Sequence, residues 1–173
     1  MIVEKGTIND IDELEELYND LNDHFSVYTN YPGWIKDIYP VRQTAIEGIE
    51  SSSLFICKIE NKIVGSIILN HHPEEAYYQA EWQMPDEYEN ILVIHTLVVH
   101  PYFFKKGIAE KLLTFSREYG IANGIKSIRL DVSVGNLPAI RLYEKMGYRY
   151  IGTVDLGLGY EHLKWFRLYE LVL

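Results

Sequence analysis

The run Ile91–Val99 (ILVIHTLVV) constrains the fold more than any other segment, because it is almost continuously apolar. A strand with one face in water alternates apolar and polar residues, whereas a strand covered on both faces need not. A membrane-spanning helix takes about 20 apolar residues, and this run is far shorter. Pro101 follows it and cannot donate a hydrogen bond to a sheet ladder. The segment therefore predicts a central strand that ends close to Pro101.

Periodicity and turn residues predict an ordered series of elements on both sides of this strand. Apolar residues at helical spacing from Ile11 to Leu21 predict a helix, with Asp10 as its cap and Glu13 closing a capping box. The other predicted elements are a strand over 1–6, a loop over 25–40, a helix over Val41–Glu50, a hairpin of Leu54–Ile59 and Ile63–Leu69, a polar excursion over 71–90, a helix over Ile108–Tyr119, a strand at Ser127–Val132, a helix at Pro138–Met146, and strands at Tyr148–Val154 and Trp165–Val172. This order indicates an α/β or α+β fold with a sheet of mixed direction and helices on both faces.

Length, charge and composition limit the class of protein. The chain has 173 residues, of which 47% are hydrophobic, and this predicts one domain over residues 1–173. A formal net charge of -9 disfavours nucleic acid and anionic membranes as partners. No leader-like segment is evident and Cys57 is the only cysteine, so we expect a cytoplasmic protein. Cys57 lies in an apolar run, which favours a buried small side chain over a nucleophile.

The turn after the central strand has the features of an anion site. Lys105, Lys106 and Gly107 lie between Pro101 and the next helical pattern. The first N–H groups of a helix lack partners within it and carry the positive end of its dipole. A glycine lets an anion approach the backbone closely, and two lysines add positive charge. An ordinary turn with two solvated lysines accounts for the same residues, so the turn alone leaves both interpretations open.

A second segment, residues 128–152 (IRLDVSVGNLPAIRLYEKMGYRYIG), adds polar residues at helical spacing. Asn136 precedes the predicted helix, Ala139 lies in its first turn, and Tyr143 follows Asn136 by about two turns. Asn136 and Tyr143 can therefore face the same crevice of the sheet. Helix capping by Asn136 and core packing by Tyr143 are the alternatives.

Together, the motifs LVVHP, FKKGIA, RLDV and NLPAIRLYEKMGY resemble those of the GNAT superfamily of N-acetyltransferases, which transfer an acyl group from acyl-CoA to an amine. The resemblance is close over residues 91–152 and looser before them. It implies a mixed, mostly antiparallel, twisted sheet of about seven strands, flanked by about four helices and splayed at its central strand. Phe104 is a departure, because the family has Arg or Gln there, and it puts a side-chain contact from this position in doubt.

The resemblance also implies acetyl-CoA as cosubstrate, with no metal, and gives individual residues a role. The pantetheine arm would lie along the central strand and be hydrogen-bonded by Asn136, with Tyr143 near the sulfur. The pyrophosphate would sit on the backbone amides of residues 104–109. The implied cofactor-binding residues are Leu97, Val98, Val99, Phe104, Lys105, Lys106, Gly107, Ile108, Ala109, Asn136, Ala139 and Tyr143.

The implied reaction is direct attack of a neutral primary amine on the thioester in a ternary complex. A lysine-like amine has a pKa of about 10.4, so a base must take its proton. The leaving thiolate has a pKa of about 8.5, and Tyr143 is the candidate acid that protonates it. A strand amide near Leu97 would stabilise the oxyanion.

Two side chains are candidates for the base, and aromatic residues are candidates for acceptor binding. His95 lies two residues before Leu97, and Glu81 stands next to Trp82 in the polar excursion. A packed histidine and a solvated carboxylate are the alternatives at these two positions. The acceptor, a small molecule or a peptide, is expected against the variable segments. The candidate contacts there are Tyr28, Tyr31, Trp34 and Trp82.

Other functions stay open from the sequence. The same fold can serve as a non-catalytic acyl-CoA sensor, although the presence of both Asn136 and Tyr143 favours an enzyme. A different nucleotide-binding α/β enzyme is the weaker alternative. An exposed sheet edge expected near the C-terminal strands (WFRLYELVL) also favours a homodimer.

Overall fold

The computed structural model describes residues 1–173 and contains seven strands and four α-helices. The strands are β1 (Ile2–Lys5), β2 (Leu54–Ile59), β3 (Lys62–Asn70), β4 (Ile91–Val99), β5 (Ser127–Ser133), β6 (Arg149–Asp155) and β7 (Trp165–Val172). The helices are α1 (Ile11–Val27), α2 (Arg42–Glu50), α3 (Ile108–Ala122) and α4 (Leu137–Lys145). Each strand and helix predicted from the sequence is present, with several ends shifted by a few residues.

The strands form one sheet in the order β1-β2-β3-β4-β5-β7-β6. β4 runs parallel to β5 from Ile91↔Ser127 to Ile94↔Leu130. The pairs β1–β2, β2–β3, β5–β7 and β6–β7 are antiparallel. The predicted mixed, mostly antiparallel sheet is therefore confirmed, with β4 in its interior as the apolar run indicated. The predicted splaying at the central strand stays a prediction.

β7 is an internal strand, so the edge expected near the C-terminal strands lies not at WFRLYELVL but at the neighbouring β6. β7 pairs with β5 from Ser127↔Val172 to Ser133↔Phe166, and β6 lies on its other side. The last strand of the chain inserts between two earlier ones, β5 and β6. The edges of the sheet are β1 and β6, and the possible homodimer stays a prediction without support from β7.

The chain divides into two compact units, and the division falls inside β4 between Ile94 and His95. The first unit consists of residues 1–30, 34–69 and 95–115, and the second of residues 31–33, 70–94 and 116–173. The single domain predicted over residues 1–173 stays a prediction. None of the helices has the length and apolar character needed to cross a membrane.

Apolar side chains of α1 and of the β2–β3 hairpin form the core of the first unit. Helical spacing places Leu14, Leu17 and Leu21 on one buried face of α1. The residues that pack with them are Tyr18, Ala45, Leu54, Ile56, Ile63, Ile68 and Val98. Cys57 on β2 is fully buried, as expected, and burial raises the pKa of its thiol.

α1 begins differently from the predicted capping box. A short 3₁₀ turn, Ile8–Asp10, precedes the helix, and the Asp10 carboxylate accepts hydrogen bonds from the Thr7 N–H (2.8 Å) and hydroxyl (2.7 Å). The Glu13 carboxylate accepts the N–H of Ile63 at 2.7 Å. The predicted pairing of Asp10 with Glu13 is therefore wrong, because the 3₁₀ turn directs the Asp10 carboxylate toward Thr7.

A buried ion pair on the sheet of the second unit forms hydrogen bonds to the backbone of the 71–90 segment. Arg129 on β5 and Glu170 on β7 are direct neighbours in the ladder and are 2% and 1% exposed. Arg129 Nε donates to Glu170 Oε1 at 3.1 Å, and the Ser127 hydroxyl donates to the same oxygen at 2.8 Å. Glu170 Oε2 accepts the N–H groups of Gln83 (2.7 Å) and Met84 (3.3 Å).

The Arg129 guanidinium also contacts the 71–90 segment. It donates to the Met84 carbonyl at 2.7 Å, and its Cζ lies 4.3 Å from the ring centre of Trp82 and 5.1 Å from that of Tyr88. An isolated buried charge is costly, so each member of the pair depends on the other. The polar excursion is thus held in place by a charge pair whose hydrogen bonds reach its backbone.

Replacing Glu170 by Gln should lower the free energy of unfolding by about 3–5 kcal/mol, because Arg129 loses its counter-charge in a buried site. Urea unfolding followed by circular dichroism measures this free energy. Glu118→Gln is the matched control, since Glu118 is exposed on α3 and its replacement should change the value by less than about 0.5 kcal/mol. A loss below about 1 kcal/mol at Glu170 would show that this pair does not hold the segment.

Candidate functional site

β4 contains a strained residue directly before the positions predicted to bind the cofactor. Thr96 has φ of +47°, a left-handed conformation in which a β-branched residue is a genuine outlier. Such a conformation costs on the order of 1–3 kcal/mol and persists only where the surroundings enforce it. It interrupts the extended backbone of the strand directly before Leu97. Beyond it, Val98 is buried while Leu97 and Val99 are half-buried.

Tyr39 is the residue that holds Thr96 through a side-chain hydrogen bond. The Tyr39 hydroxyl is bonded to Thr96 Oγ1. Tyr39 lies in the loop between α1 and α2, where Asn22 Nδ2 donates to the carbonyls of Tyr39 (3.4 Å) and Pro40 (3.2 Å). The Trp34 ring meets the Tyr39 ring edge-on at 5.5 Å. The loop predicted over residues 25–40 therefore reaches the strained point of β4, although α1 extends to Val27 before the loop begins.

His100 fixes the start of the turn that follows β4. It is buried, its Nδ1 accepts the Tyr102 N–H at 3.2 Å, and its Nε2 lies 3.1 Å from Asp20 Oδ2 on α1. Because Nδ1 is an acceptor, the neutral imidazole carries its proton on Nε2 and donates it to Asp20. The His100 N–H also donates to the Val64 carbonyl at 2.9 Å. This histidine joins β4, α1 and the turn.

The turn leaves the first N–H groups of α3 without helical acceptors. Lys105 (φ +61°) and Gly107 (φ +79°) both have left-handed backbone. The Lys111 N–H bonds the Gly107 carbonyl at 2.9 Å, so the N–H groups of Gly107, Ile108 and Ala109 precede the first helical bond. Apart from Gly107 and its two chain neighbours, no residue has an atom within 4 Å of the place where a Cβ on Gly107 would stand. The backbone at Gly107 is therefore open to an approaching group.

The side chains around this turn supply charge rather than specific contacts. Lys105 and Lys106 are exposed. The Phe104 ring lies edge-on to the His24 ring of α1, 5.3 Å between centres, and Tyr28 stacks on His24 at 4.5 Å. Phe104 thus contacts α1 and offers no polar group. An anion at this turn would be attracted by the backbone N–H groups and by the two lysines.

In the second unit, Asn136 caps α4. Its Oδ1 accepts the Ala139 N–H at 3.3 Å, and Pro138 occupies the first turn. The side-chain NH₂ of Asn136 keeps its capacity to donate to another group. The capping role that the sequence left open is therefore confirmed, while the roles of Asn136 and Ala139 in cofactor binding stay predictions.

Tyr143 lies buried on α4, with its ring 5.9 Å from that of Tyr148 and 6.4 Å from that of Tyr169. Burial raises the pKa of the Tyr143 phenol, and the charge of Asp131 raises it further. The phenol is therefore protonated at physiological pH. Its pKa lies above the value of about 8.5 for a thiol, so complete proton transfer to a thiolate is uphill. The environment favours a hydrogen-bond donor over a strong acid.

Asp131 on β5 is a candidate functional residue that the sequence analysis missed. The buried Tyr77 hydroxyl donates to Asp131 Oδ2 at 2.6 Å. Burial raises the pKa of Asp131 to about 6, although the bond from Tyr77 opposes the rise. A carboxyl with such a pKa exchanges a proton close to neutral pH. The sequence did contain a signal, because strand alternation in RLDVS places Asp131 on the same face as Arg129.

The structure places the two predicted bases in different units. His95 is partly buried on β4 in the first unit, and Glu81 is exposed in the second. Trp82, next to Glu81, is part of the fold, because its Nε1 donates to the Tyr77 carbonyl at 2.8 Å and its ring covers Arg129. The roles predicted for these three residues stay predictions.

The other aromatic acceptor candidates also fall in both units. Tyr28 and Trp34 belong to the first unit and Tyr31 to the second. Tyr28 and Tyr31 are exposed, whereas Trp34 is partly buried against Phe25 and Tyr39. Trp34 therefore helps to build the loop, while Tyr28 is 65% and Tyr31 41% exposed. Acceptor binding by these residues stays a prediction.

Comparison with known proteins agrees with the motifs. The family model described as "Acetyltransferase (GNAT) family" matches residues 14–148. Streptothricin acetyltransferase of Escherichia coli is 28% identical over 124 residues, which cover 70% of this chain and 62% of that protein. An uncharacterized N-acetyltransferase of Methanocaldococcus jannaschii is 25% identical over 148 residues, which cover 82% of this chain and 58% of that protein. The chain thus spans about six-tenths of the length of these relatives.

A solved structure shows the same fold. The crystal structure of a GNAT-family acetyltransferase from Streptococcus agalactiae has a TM-score of 0.80 and 20% sequence identity, and the match covers 99% of this chain and 95% of that chain. A likeness at this level of identity concerns the fold alone, and it confirms the mixed α/β architecture.

Replacing Asp131 by Asn should raise the melting temperature, and the rise should be larger at pH 7 than at pH 4. The folded-state pKa of about 6 lies above the ordinary 3.8, so the folded protein binds this proton more tightly than the unfolded chain. Between about pH 4 and 6 the wild type therefore loses stability through this group as pH rises, and the Asn variant does not. Thermal unfolding at a series of pH values measures the difference.

The gain from Asp131→Asn should grow from about pH 4 to 6 and then level off. Asp37→Asn is a suitable control, because Asp37 is exposed and its left-handed backbone (φ +63°) also accepts Asn. A difference between wild type and Asp131→Asn that does not change with pH, or that shrinks as pH rises, contradicts the assignment.

Proposed function

The chain belongs to the GNAT acetyltransferase family, and from this we propose that it transfers an acetyl group from acetyl-CoA to a primary amine of a small molecule or peptide. The observation that carries the proposal is the turn before α3. There, left-handed Lys105 and Gly107 leave helix N–H groups open to an anion, and acyl-CoA carries a pyrophosphate. A cytoplasmic location is part of the same proposal.

Acetyl-CoA suits this turn in both charge and space. The N–H groups of Gly107, Ile108 and Ala109 would hold the pyrophosphate, because those of Phe104 and Lys106 already donate to the carbonyls of Pro101 (3.2 Å) and Phe103 (3.3 Å). Lys105 and Lys106 add local positive charge to a chain of net charge -9. The open space beside Gly107 admits phosphate oxygens to the backbone. The acetyl thioester supplies the activated acyl group, so we propose no metal. The further proposed cofactor contacts are Leu97, Val98, Val99, Asn136, Ala139 and Tyr143.

The acceptor amine must lose a proton before it can attack, and Asp131 is the base that we favour. A carboxyl with a pKa of about 6 is mostly ionised at neutral pH and can still receive a proton. The bond from Tyr77 fixes one of its oxygens. His95 and Glu81 stay as the alternative bases.

The leaving thiolate and the oxyanion would be stabilised by donors of the chain. Tyr143, protonated at physiological pH, would donate a hydrogen bond to the sulfur and assist its protonation. The Leu97 N–H, which directly follows the left-handed Thr96, would donate to the oxyanion. Direct attack suits this chain because Cys57, its single thiol, is buried with a raised pKa and is a poor nucleophile.

A thiol-release assay with acetyl-CoA and a panel of amines tests the proposal. The panel consists of streptothricin, the compound in the name of the Escherichia coli relative, together with spermidine, L-lysine and a peptide with an N-terminal alanine. At least one amine should release CoA faster than hydrolysis does. Tyr143→Phe should lower kcat by about tenfold or more with little change in the KM for acetyl-CoA, and Tyr150→Phe, an exposed control, should not.

Binding and melting-temperature measurements, taken together with this assay, distinguish the two alternative functions. Binding of acetyl-CoA without turnover of any amine, with Tyr143→Phe unchanged in binding, favours a non-catalytic sensor. A larger rise in melting temperature with ATP or NAD than with CoA favours a different nucleotide-binding enzyme. If Asp131 is the base, Asp131→Asn should remove the rise in rate that the wild type shows as pH increases through about 6.

A further inference from the structure

One hydroxyl joins the loop between α1 and α2 to the strained residue of β4. We infer that Tyr39 is a positioning residue for acyl transfer: through its bond to Thr96 it holds the backbone conformation that aims the Leu97 N–H at the oxyanion. The inference rests on the proposed function, because the oxyanion exists only if the chain transfers an acyl group.

The conformation of Thr96 requires an external support. Of the non-glycine residues with positive φ, Thr96 alone lies inside a strand, and the others lie in turns and loops. Glycine would take this conformation without steric cost, whereas a β-branched residue is among the least suited to it. A threonine has one feature here that glycine lacks, the Oγ1 that bonds Tyr39. The residue type therefore suits a position that is held from outside.

Tyr39 is itself held firmly enough to act as that support. The buried Asn22 donates to the carbonyls of Tyr39 and Pro40, which ties the loop backbone to α1. Trp34 packs edge-on against the Tyr39 ring, and Trp34 in turn packs against Phe25 of α1. Because both the backbone and the ring of Tyr39 are fixed, its hydroxyl constrains Thr96 rather than following it.

A purely structural role for this bond makes a different prediction. Loss of a bond that only supports the fold lowers the free energy of unfolding and leaves the rate of the bound complex unchanged. Loss of a bond that aims an oxyanion donor lowers kcat and leaves the KM for acetyl-CoA nearly unchanged, because the oxyanion forms only during the reaction. The split between kcat and KM therefore separates the two roles.

The test uses Tyr39→Phe and Thr96→Val, which each remove one hydroxyl, and Thr96→Ser, which keeps Oγ. Turnover is measured as thiol release from acetyl-CoA with the panel amine that gives the highest rate. Tyr39→Phe and Thr96→Val should each lower kcat by about tenfold or more, while Thr96→Ser should stay within about threefold of wild type. The double variant should be no slower than either single variant, because both remove the same bond.

Tyr18→Phe is the matched control. Tyr18 is another buried tyrosine of the first unit, with its hydroxyl 3.4 Å from Ser66 Oγ, and its replacement should leave kcat unchanged. A kcat of Tyr39→Phe within about twofold of wild type overturns the inference, even if the variant is less stable. An equal loss of kcat in Tyr18→Phe also overturns it.

A second measurement reads the backbone directly and needs no acceptor. In amide ¹H–¹⁵N spectra of the free protein, the Leu97 resonance should shift in Tyr39→Phe and Thr96→Val and stay in place in Tyr18→Phe. If the wild type releases no thiol with any amine, the proposed function fails, and the Leu97 resonance alone then decides whether Tyr39 holds Thr96. An unmoved Leu97 resonance in Tyr39→Phe overturns the inference independently of turnover.

Discussion

The backbone of β4 is the constraint on which the rest of the structure depends. Its first half is fixed by parallel pairing with β5, and beyond its last residue the His100 N–H bonds the Val64 carbonyl. Between these points the strand departs from extended geometry once, at Thr96. The position of this departure and of the turn before α3 are therefore both set by the sheet. Any group that binds here meets main-chain donors at fixed places.

This arrangement explains how the chain can carry Phe104 where the family has Arg or Gln. The donors proposed for the pyrophosphate and for the oxyanion are N–H groups, and their directions depend on φ angles at Thr96, Lys105 and Gly107. The Phe104 side chain contacts His24 on α1 instead. A substitution at position 104 thus changes the packing beside the turn and leaves the number of backbone donors the same.

The polar face of β5 serves two different purposes in the second unit. Arg129 and Glu170 satisfy each other and bond the backbone at Gln83 and Met84, so their charges hold the 71–90 segment. Asp131 lies two residues further along the same face of β5. Its carboxylate accepts a hydrogen bond from the Tyr77 hydroxyl, and its pKa is raised by burial and by the charge of Glu74. Its pKa therefore rises to about 6, and the strand carries a fixed ion pair beside a group that titrates near neutral pH.

Local sequence patterns predicted the elements well, and tertiary contacts account for what they missed. The apolar run Ile91–Val99 matches β4 residue for residue, and the Asn136 cap follows from its place before Pro138. The predicted capping box was wrong because Asp10 bonds Thr7, three residues away, and Glu13 bonds Ile63, 50 residues away. The edge of the sheet depends on the pairing of distant strands, which local patterns do not specify. The φ angle of Thr96 and the bond from Tyr39 have no local signature at all, because Tyr39 is 57 residues away along the chain.

We propose that backbone N–H groups at Gly107 hold the phosphates of acetyl-CoA. Alanine substitutions at Gly107 and at a matched glycine test this proposal. Gly107 (φ +79°) and Gly124 (φ +70°) both have left-handed backbone and open space where a Cβ would stand. Alanine should therefore cost a similar amount of stability at each, about 1–2 kcal/mol.

Isothermal titration calorimetry with acetyl-CoA gives the dissociation constant of each variant. We expect a Kd raised by about tenfold or more in Gly107→Ala and a Kd close to that of wild type in Gly124→Ala. A Gly107→Ala variant that binds acetyl-CoA as tightly as wild type would contradict the proposal.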